Sequence, residues 1–259
     1  MLLAVDIGNT NIVLGVFEGE TIKATWRVST DVHKMPDEYA VMLSTLAAHD
    51  GLALADMKEV ILCSVVPPLV ATFEELCHRY LKTTPLVVGA GIKTGVRILY
   101  DNPREVGADR VVDALAAYKF YGGPVIVVDF GTATVFDAVS RTGDYMGGAI
   151  FPGLNIAAEA LFERTARLPR IELVRPKSAI GRNTVASMQA GLIFGYVAMV
   201  EGLVQRFRQE MGGTAKTVAT GGLAETMARE TSIFNIVEPN LTLMGLRLVH
   251  ELNAQPKTV

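Results

Sequence analysis

The feature that most constrains the fold of this chain is a pattern that occurs twice. Residues 5–10 and residues 128–134 each join the end of an apolar run to an aspartate, a glycine two positions later and small hydroxyl or amide residues. The aspartate is Asp6 in the first copy and Asp129 in the second. A pattern that returns at matching places indicates duplicated structural units. The repeat therefore predicts two domains that begin with the same strand–turn–strand arrangement.

The order of the predicted elements repeats as well. In the first cycle, apolar runs bounded by turn residues predict strands at residues 2–7, 12–17, 21–28, 60–65, 86–88 and 96–100. In the second cycle the same signals predict strands at residues 125–128, 135–139, 145–151 and 216–219. Helical periodicity predicts a helix that Pro36 opens and further helices at residues 67–80, 104–121, 154–164, 183–211, 223–229 and 241–252. Gly122 and Gly123 interrupt the chain between the cycles, so the predicted domains are residues 1–121 and residues 122–259.

The composition is that of an ordinary globular protein, and the length suits two compact domains or one large α/β unit. Half of the 259 residues are hydrophobic, which is enough to form a large core and excludes disorder for the bulk of the chain. Lys and Arg number 24 against 27 Asp and Glu, so we expect no nucleic-acid partner. Cys63 and Cys77 have no paired Cys or His spacing, which argues against a zinc site and against a disulfide framework.

Neither a targeting segment nor a membrane span is predicted. Asp6 interrupts the apolar start of the chain, and no basic segment precedes it. Residues 183–200 are uncharged, but they contain polar side chains such as Asn183 and Gln189. This mixture predicts a buried core helix rather than a span. We therefore expect a cytoplasmic protein without a membrane partner.

The two repeated turns have the chemistry of a phosphate site. A turn with glycine at its bend and small polar residues beside it exposes backbone N–H groups and hydroxyls, which bind phosphate oxygens. An aspartate at the end of a buried strand supplies a fixed carboxylate for a cation such as Mg²⁺. Two such turns favour phosphoryl transfer, in which catalysis is mostly positioning and charge neutralisation. Either turn alone is more often an ordinary hairpin, and it is the matching pair that favours a function.

A second candidate site lies at residues 100–110. Pro103 and Gly107 predict a helix entrance, where free N–H groups attract an anion. Arg110 adds a second group for anion binding, and Asp109 adds a possible proton acceptor. The alternative is a surface ion pair in the first turn of a helix, without any function. A third loop, residues 219–222, is compatible with a nucleoside site or with a plain strand-to-helix turn.

Six motifs taken together resemble type III pantothenate kinase over nearly the whole chain. They occur, in this order, at residues 6–11, 102–110, 129–134, 148–153, 183–184 and 219–222. The resemblance implies two ribonuclease H-like domains of the acetate and sugar kinase, Hsp70 and actin type, with an interdomain nucleotide cleft. It also implies ATP-dependent phosphorylation of pantothenate to 4′-phosphopantothenate, the first step of coenzyme A biosynthesis.

The resemblance also implies roles for single residues. The ATP-binding residues would be Asp6, Ile7, Gly8, Asn9, Thr10, Asn11, Ile12, Val13 and Thr132. The pantothenate-binding residues would be Tyr100, Gly107, Ala108, Asp109, Arg110 and Thr184. Asp109 would accept the proton of the substrate hydroxyl, Asp6 would help to place Mg²⁺, and Asp129 would bind a monovalent cation, K⁺ or NH₄⁺. The family implies a homodimer, and a stripe of small residues at Gly191, Gly195, Ala198 and Gly202 is compatible with a close helix–helix contact within or between chains.

Two other functions fit the same fold. A phosphohydrolase would release phosphate from ATP without an acceptor, but it needs a residue that orients water, and the second turn offers Thr132 and Thr134 without a glutamate. A nucleotide-binding transcription accessory factor would have no catalytic activity. The presence of Asp109 and of the complete set of loops argues against this second alternative.

Overall fold

The computed structural model describes residues 1–254, and the chain forms two compact units. The first unit comprises Met1–Val96, Asp101–Ala116 and the chain from Leu241 onward, and the second comprises Arg97–Tyr100 and Ala117–Asn240. In chain order the elements are β1 (Leu2–Ile7), β2 (Asn11–Glu18), β3 (Thr21–Ser29), α1 (Pro36–His49), β4 (Glu59–Ser64), α2 (Pro67–Leu76), β5 (Leu86–Val87), α3 (Ala108–Tyr121), β6 (Val125–Phe130), β7 (Ala133–Val139), β8 (Tyr145–Pro152), α4 (Leu154–Glu163), α5 (Thr184–Glu210), β9 (Lys216–Thr220), α6 (Ala224–Ala228), β10 (Ile236–Val237) and α7 (Leu241–Asn253).

Each unit contains one five-stranded sheet, and the two sheets have the same topology. The strand order is β3-β2-β1-β4-β5 in the first sheet and β8-β7-β6-β9-β10 in the second. In both sheets the first three strands pair antiparallel, and the remaining strands join in parallel. The repeat predicted from the two aspartate motifs is therefore confirmed as a repeat of the entire sheet.

The central strands are apolar because both faces of each sheet are covered. In β1 every residue except Asp6 is buried, and in β6 every residue except Asp129 is buried. These two partly exposed carboxylates thus mark the one polar position in each otherwise buried strand. Each aspartate is the last residue but one of its strand, and the turn begins directly after the next residue.

The terminal helix α7 packs on the first sheet. Leu243 and Leu246 of α7 are fully buried in one cluster with Leu2 and Ala4 of β1. A Cβ at Gly245 would lie 2.4 Å from the carbonyl oxygen of Val112, so glycine is needed for the close approach of α7 to α3. The predicted domain division between residues 121 and 122 stays a prediction. The two compact units divide the chain differently, chiefly because α7 packs on the first sheet and belongs to the first unit. Residues 255–259 of the predicted second domain lie outside the described residues.

The long helix α5 supplies much of the core of the second unit. Leu192, Ile193, Tyr196 and Val200 are buried against the second sheet. Within residues 1–254, α5 is the single helix that is long and apolar enough to cross a bilayer, a test that core helices also pass. Its buried face agrees with the predicted core helix.

The predicted strand at residues 96–100 is wrong. This segment makes a single bridge, in which the N–H of Leu99 donates to the carbonyl of Tyr145 and the N–H of Tyr145 donates to that of Arg97, both at 2.8 Å. Beyond this bridge, β8 pairs with β7, and residues 96–100 form no ladder in the described part of the chain. The alternating apolar residues that predicted a strand therefore belong to a loop that two backbone hydrogen bonds hold against Tyr145.

Candidate active site

The turn between β1 and β2 forms the first part of the site. Gly8 donates its N–H to the carbonyl of Asn11 at 3.0 Å, which closes a tight turn. The side chains of Asn9, Thr10 and Asn11 are exposed, whereas Ile7 and Ile12 lie in the core of the first unit. Within the predicted ATP-binding run 6–13, the core residues can therefore serve a ligand only through their backbone.

Asp6, the last residue but one of β1, has an unusual environment for a carboxylate. Its partner in the parallel pairing with β4 is Cys63, whose Sγ donates a hydrogen bond to Oδ1 of Asp6 at 3.2 Å. Burial raises the pKa of Asp6 to about 6, the bond from Cys63 opposes this rise, and the charge of Asp109 adds to it. Asp6 and Asp109 therefore lie close enough to interact, although they are far apart in sequence.

Cys63 lies among three carboxylates. Its thiol is fully buried, and this burial is the main cause that raises its pKa well above the usual range for a thiol. The negative charges of Asp6, Asp109 and Asp113 raise that pKa further. A thiol in this state is a poor nucleophile and stays protonated, so it can donate its weak hydrogen bond to Asp6. Sequence reasoning placed Cys63 in a core strand without a role, and only the register of β4 on β1 identifies its partner.

The carboxylate of Asp109 is held at the start of α3. Its Oδ1 accepts a hydrogen bond from the N–H of Arg110 at 2.9 Å. A Cβ at Gly107 would lie 2.4 Å from the same oxygen, so glycine leaves the space that this carboxylate occupies. The turn that leads here is fixed by Asn102, whose side chain accepts from the N–H of Arg104 at 3.3 Å and donates to Glu105 at 2.8 Å. All of these side chains are exposed or half-buried, as a substrate site requires.

We expect Gly107→Ala to reduce turnover more than stability. The added methyl group would displace the carboxylate of Asp109. Because this carboxylate is the end of a side chain that can rotate, the cost in folding free energy is small. A shift of about 1 Å is enough to cost about 10²-fold in rate. Steady-state kinetics and thermal melting check both parts. Gly89→Ala is the matched control, because a Cβ there has no atom within 4 Å; equal losses in the two variants would contradict the role of Gly107.

The second turn, between β6 and β7, repeats the first with one residue fewer. Gly131 donates its N–H to the carbonyl of Ala133 at 3.0 Å, and Thr132 is exposed at the tip. Asp129 lies at the end of β6, opposite Thr220 of β9. Gly221 follows with a φ of 87°, and a Cβ there would lie 2.1 Å from Oδ1 of Asp129. The loop at residues 219–222 therefore forms one wall of the Asp129 site.

Two predicted pantothenate residues lie elsewhere in the second unit. The ring of Tyr100 lies beside the ring of Tyr145, with centroids 6.3 Å apart and an angle of 52° between the ring planes, and a Cβ at Gly147 would lie 3.6 Å from the Tyr100 ring. Thr184 opens α5, where the side chain of Asn183 caps the helix by accepting from the N–H of Ala186 at 2.8 Å. Thr184 lines an open pocket of about 750 Å³. In the second unit, the loop at residues 219–222 lies against Asp129, and Thr132 is at the tip of the turn that follows Asp129. In the first unit, Asp6 lies near Asp109.

The comparisons with known proteins agree on one family. The sequence model described as type III pantothenate kinase matches residues 2–206. A protein of Moorella thermoacetica named Type III pantothenate kinase is 55% identical over 253 residues, which is 98% of this chain and all of that protein.

Two solved structures are similar in fold. A protein of Campylobacter jejuni assigned to the Baf family of transcriptional activators has a TM-score of 0.61 and 18% identity, with 97% of this chain and 98% of that chain covered. The activator of the 2-hydroxyisocaproyl-CoA dehydratase of Clostridium difficile, solved with bound ADPNP, has a TM-score of 0.52 and 13% identity, with 100% and 98% covered. At these identities the likeness concerns the fold alone, which is the one shared by acetate and sugar kinases, Hsp70 and actin.

Proposed function

This chain belongs to the type III pantothenate kinase family and phosphorylates pantothenate with ATP in coenzyme A biosynthesis, and on that premise we propose which of its residues perform each part of the reaction. The observation that carries the proposal is the interaction of Asp6 with Asp109. Asp6 lies beside the turn that would bind phosphate. Asp109 lies at the start of α3, which suits an anionic substrate. A phosphoryl donor and a hydroxyl acceptor need these two groups close together.

ATP is bound by the two repeated turns in this proposal. Residues 6–13 present backbone N–H groups and the small side chains of Asn9, Thr10 and Asn11 to the phosphates, and Thr132 adds a hydroxyl from the second turn. Exposed turns with glycine at the bend support this role, because backbone N–H groups bind phosphate oxygens without steric hindrance.

The donor sets suit two cations. Asp6 is partly exposed at a strand end, and one of its oxygens accepts from Cys63, so the carboxylate fits the placement of a hydrated Mg²⁺. Asp129 offers a carboxylate against the backbone of Gly221, which fits a monovalent cation held by oxygen ligands. When bound, Mg²⁺ and K⁺ or NH₄⁺ supply positive charge that offsets the phosphates and the carboxylate beside them.

Pantothenate is bound by Tyr100, by residues 107–110 and by Thr184. Its carboxylate suits the start of α3 with the guanidinium of Arg110, since helix N-termini and arginine both bind anions. Asp109 orients the primary hydroxyl and accepts its proton as the bond to phosphorus forms. The hydrogen bond from the N–H of Arg110 supports this role, because it fixes the direction of the carboxylate.

Activity should depend on a monovalent cation. Without one, the carboxylate of Asp129 adds uncompensated negative charge beside the phosphates, so we expect a strong fall in turnover when Na⁺ replaces K⁺. A coupled kinase assay with pantothenate at constant ionic strength, in K⁺, NH₄⁺ and Na⁺ salts, measures this dependence. Equal rates in K⁺ and Na⁺ would contradict the proposed role of Asp129.

The protein acts in the cytoplasm as a homodimer in this proposal. Three glycines of the small-residue stripe on α5, Gly191, Gly195 and Gly202, have open space where a Cβ would be, so no neighbour within residues 1–254 requires them. Apolar side chains are exposed on the same unit, among them Ile150 and Ile156. A second copy packed on α5 would account for both observations.

Replacement of Gly195 by arginine should produce a monomer. Arginine favours the helix more than glycine does, so the change does not disfavour folding, but its bulk and charge prevent close packing between helices. Light scattering coupled to size-exclusion chromatography measures the mass. Ser44→Arg, at an exposed position of α1, is the control and should leave a dimer. A wild-type protein that is monomeric at micromolar concentration would exclude the homodimer.

A further inference from the structure

We propose that Thr30, which directly follows β3, is a positioning residue that holds the turn between β1 and β2 in its phosphate-binding form and thereby sets the affinity for ATP. The inference rests on the proposed function, since it takes residues 8–11 as the phosphate site. Thr30 is half-buried and belongs to none of the six motifs.

Thr30 binds two carbonyl groups of the turn at once. Its Oγ1 donates a hydrogen bond to the carbonyl of Gly8 at 2.6 Å. Its own N–H donates to the carbonyl of Thr10 at 3.0 Å. Together with the bond from Gly8 to the carbonyl of Asn11, these contacts engage the carbonyl oxygens of three of the four turn residues.

The direction of these carbonyls decides where the N–H groups point. In a trans peptide unit the carbonyl and the following N–H point in opposite directions. The contacts of Thr30 with Gly8 and Thr10 therefore direct the N–H groups of Asn9 and Asn11 away from Thr30. A rotated Gly8 peptide would present its carbonyl oxygen instead of the N–H of Asn9, and a carbonyl oxygen repels phosphate.

Thr30 is itself firmly held. Before it, β3 pairs with β2 up to Ser29. After it, the N–H of Asp31 donates to Oη of Tyr39 at 3.1 Å, and that hydroxyl donates to the carbonyl of Asp31 at 2.9 Å. Tyr39 is buried in α1 against Phe73, with ring centroids 5.1 Å apart. The turn is therefore fixed through Thr30 to the hydrophobic core.

The second unit provides an internal comparison. Gly153 directly follows β8, as Thr30 follows β3, and its N–H donates to the carbonyl of Thr132 at 3.1 Å. A Cβ at Gly153 would lie 2.2 Å from that carbonyl oxygen, so a side chain has no space there. The backbone contact is thus common to both turns, whereas the hydroxyl contact occurs only in the first. Because only the first turn has the additional hydroxyl contact, we infer that the first turn needs its peptide units held more firmly than the second turn does.

Two variants separate the hydroxyl from the shape of the side chain. Thr30→Val removes the donor and keeps the volume and the backbone N–H, and Thr30→Ser keeps the donor. We expect Thr30→Val to raise the KM for ATP about three- to tenfold, the range for one hydrogen bond, with the KM for pantothenate unchanged. Thr30→Ser should stay close to the wild type. Thr25→Val, at an exposed position of β3, is the matched control.

The outcomes distinguish this inference from the proposed function. An unchanged KM for ATP in Thr30→Val, or an equal defect in Thr30→Ser, would overturn the role of Thr30. A parallel rise of both KM values together with a lower Tm would show a structural role only. If Thr30→Val does not fold, Thr30→Ala replaces it with the same expected result. A wild-type enzyme that transfers no phosphoryl group to pantothenate would instead refute the proposed function.

Discussion

Replacement of Asp109 by asparagine is expected to reduce kcat about 10²- to 10⁴-fold, the range for general acid–base assistance. The amide keeps the size of the side chain, but it cannot accept the proton of the pantothenate hydroxyl. Pantothenate should still bind, because the guanidinium of Arg110 and the N–H groups at the start of α3 remain. The loss should therefore appear in kcat and leave the dissociation constant within a few-fold of the wild type.

Steady-state rates and calorimetry with pantothenate test the two parts separately. Asp56→Asn is the control, since it makes the same chemical change at an exposed position outside the candidate sites. A near-normal kcat with a large rise in the KM for pantothenate would show that Asp109 binds substrate without taking part in the chemistry.

Replacement of Asp6 by asparagine should impair activity and at the same time stabilise the fold. The charge that places Mg²⁺ is lost, and loss of one preorganised electrostatic contact typically costs about 10²–10³ in rate. The same charge is costly in the folded apo protein, because burial raises its pKa from 3.8 to about 6. This difference corresponds to at most about 3 kcal/mol of unfolding free energy, reduced by the partial exposure of the carboxylate.

The sign of the effect follows from proton binding. The folded state holds the proton of Asp6 more tightly than the unfolded state, so Asp6 reduces stability as the pH rises from about 4 to about 6. The advantage of Asp6→Asn should therefore be full at pH 8, about half as large at pH 5, and nearly absent at about pH 3. Denaturant titrations of the apo proteins at pH 8 and pH 5 measure it, with Asp56→Asn as the control. A variant less stable than the wild type at pH 8 would contradict the account of the buried charge.

Local sequence signals were sufficient for most of the fold. The run of apolar residues before Asp6 and the similar run before Asp129 predict β1 and β6, and their repetition predicts that the two domains begin with the same strand–turn–strand arrangement. Proline at the start of α1 and α2 marks both helices correctly. These features depend on residues that are neighbours in the chain, so a single sequence contains them.

Contacts between distant segments could not be predicted in this way. The hydrogen bond from Cys63 to Asp6 depends on the register between β1 and β4, which are separated by more than fifty residues. The close approach of α7 to α3 depends on the absence of a side chain at Gly245, which lies more than a hundred residues from α3 in the sequence. The two-residue strand β10 is too short to show a period. Positioning residues such as Thr30 belong to the same class, since their role lies in backbone contacts that composition does not encode.

As a type III pantothenate kinase, this protein transfers the phosphoryl group of ATP to pantothenate. The most direct measurement incubates the wild-type protein with ATP, Mg²⁺, K⁺ and pantothenate and quantifies ADP and phosphopantothenate together by mass spectrometry. We expect one phosphopantothenate for each ADP and almost no ADP when pantothenate is omitted. ADP formed at the same rate without pantothenate, or no phosphopantothenate in the complete mixture, would contradict it.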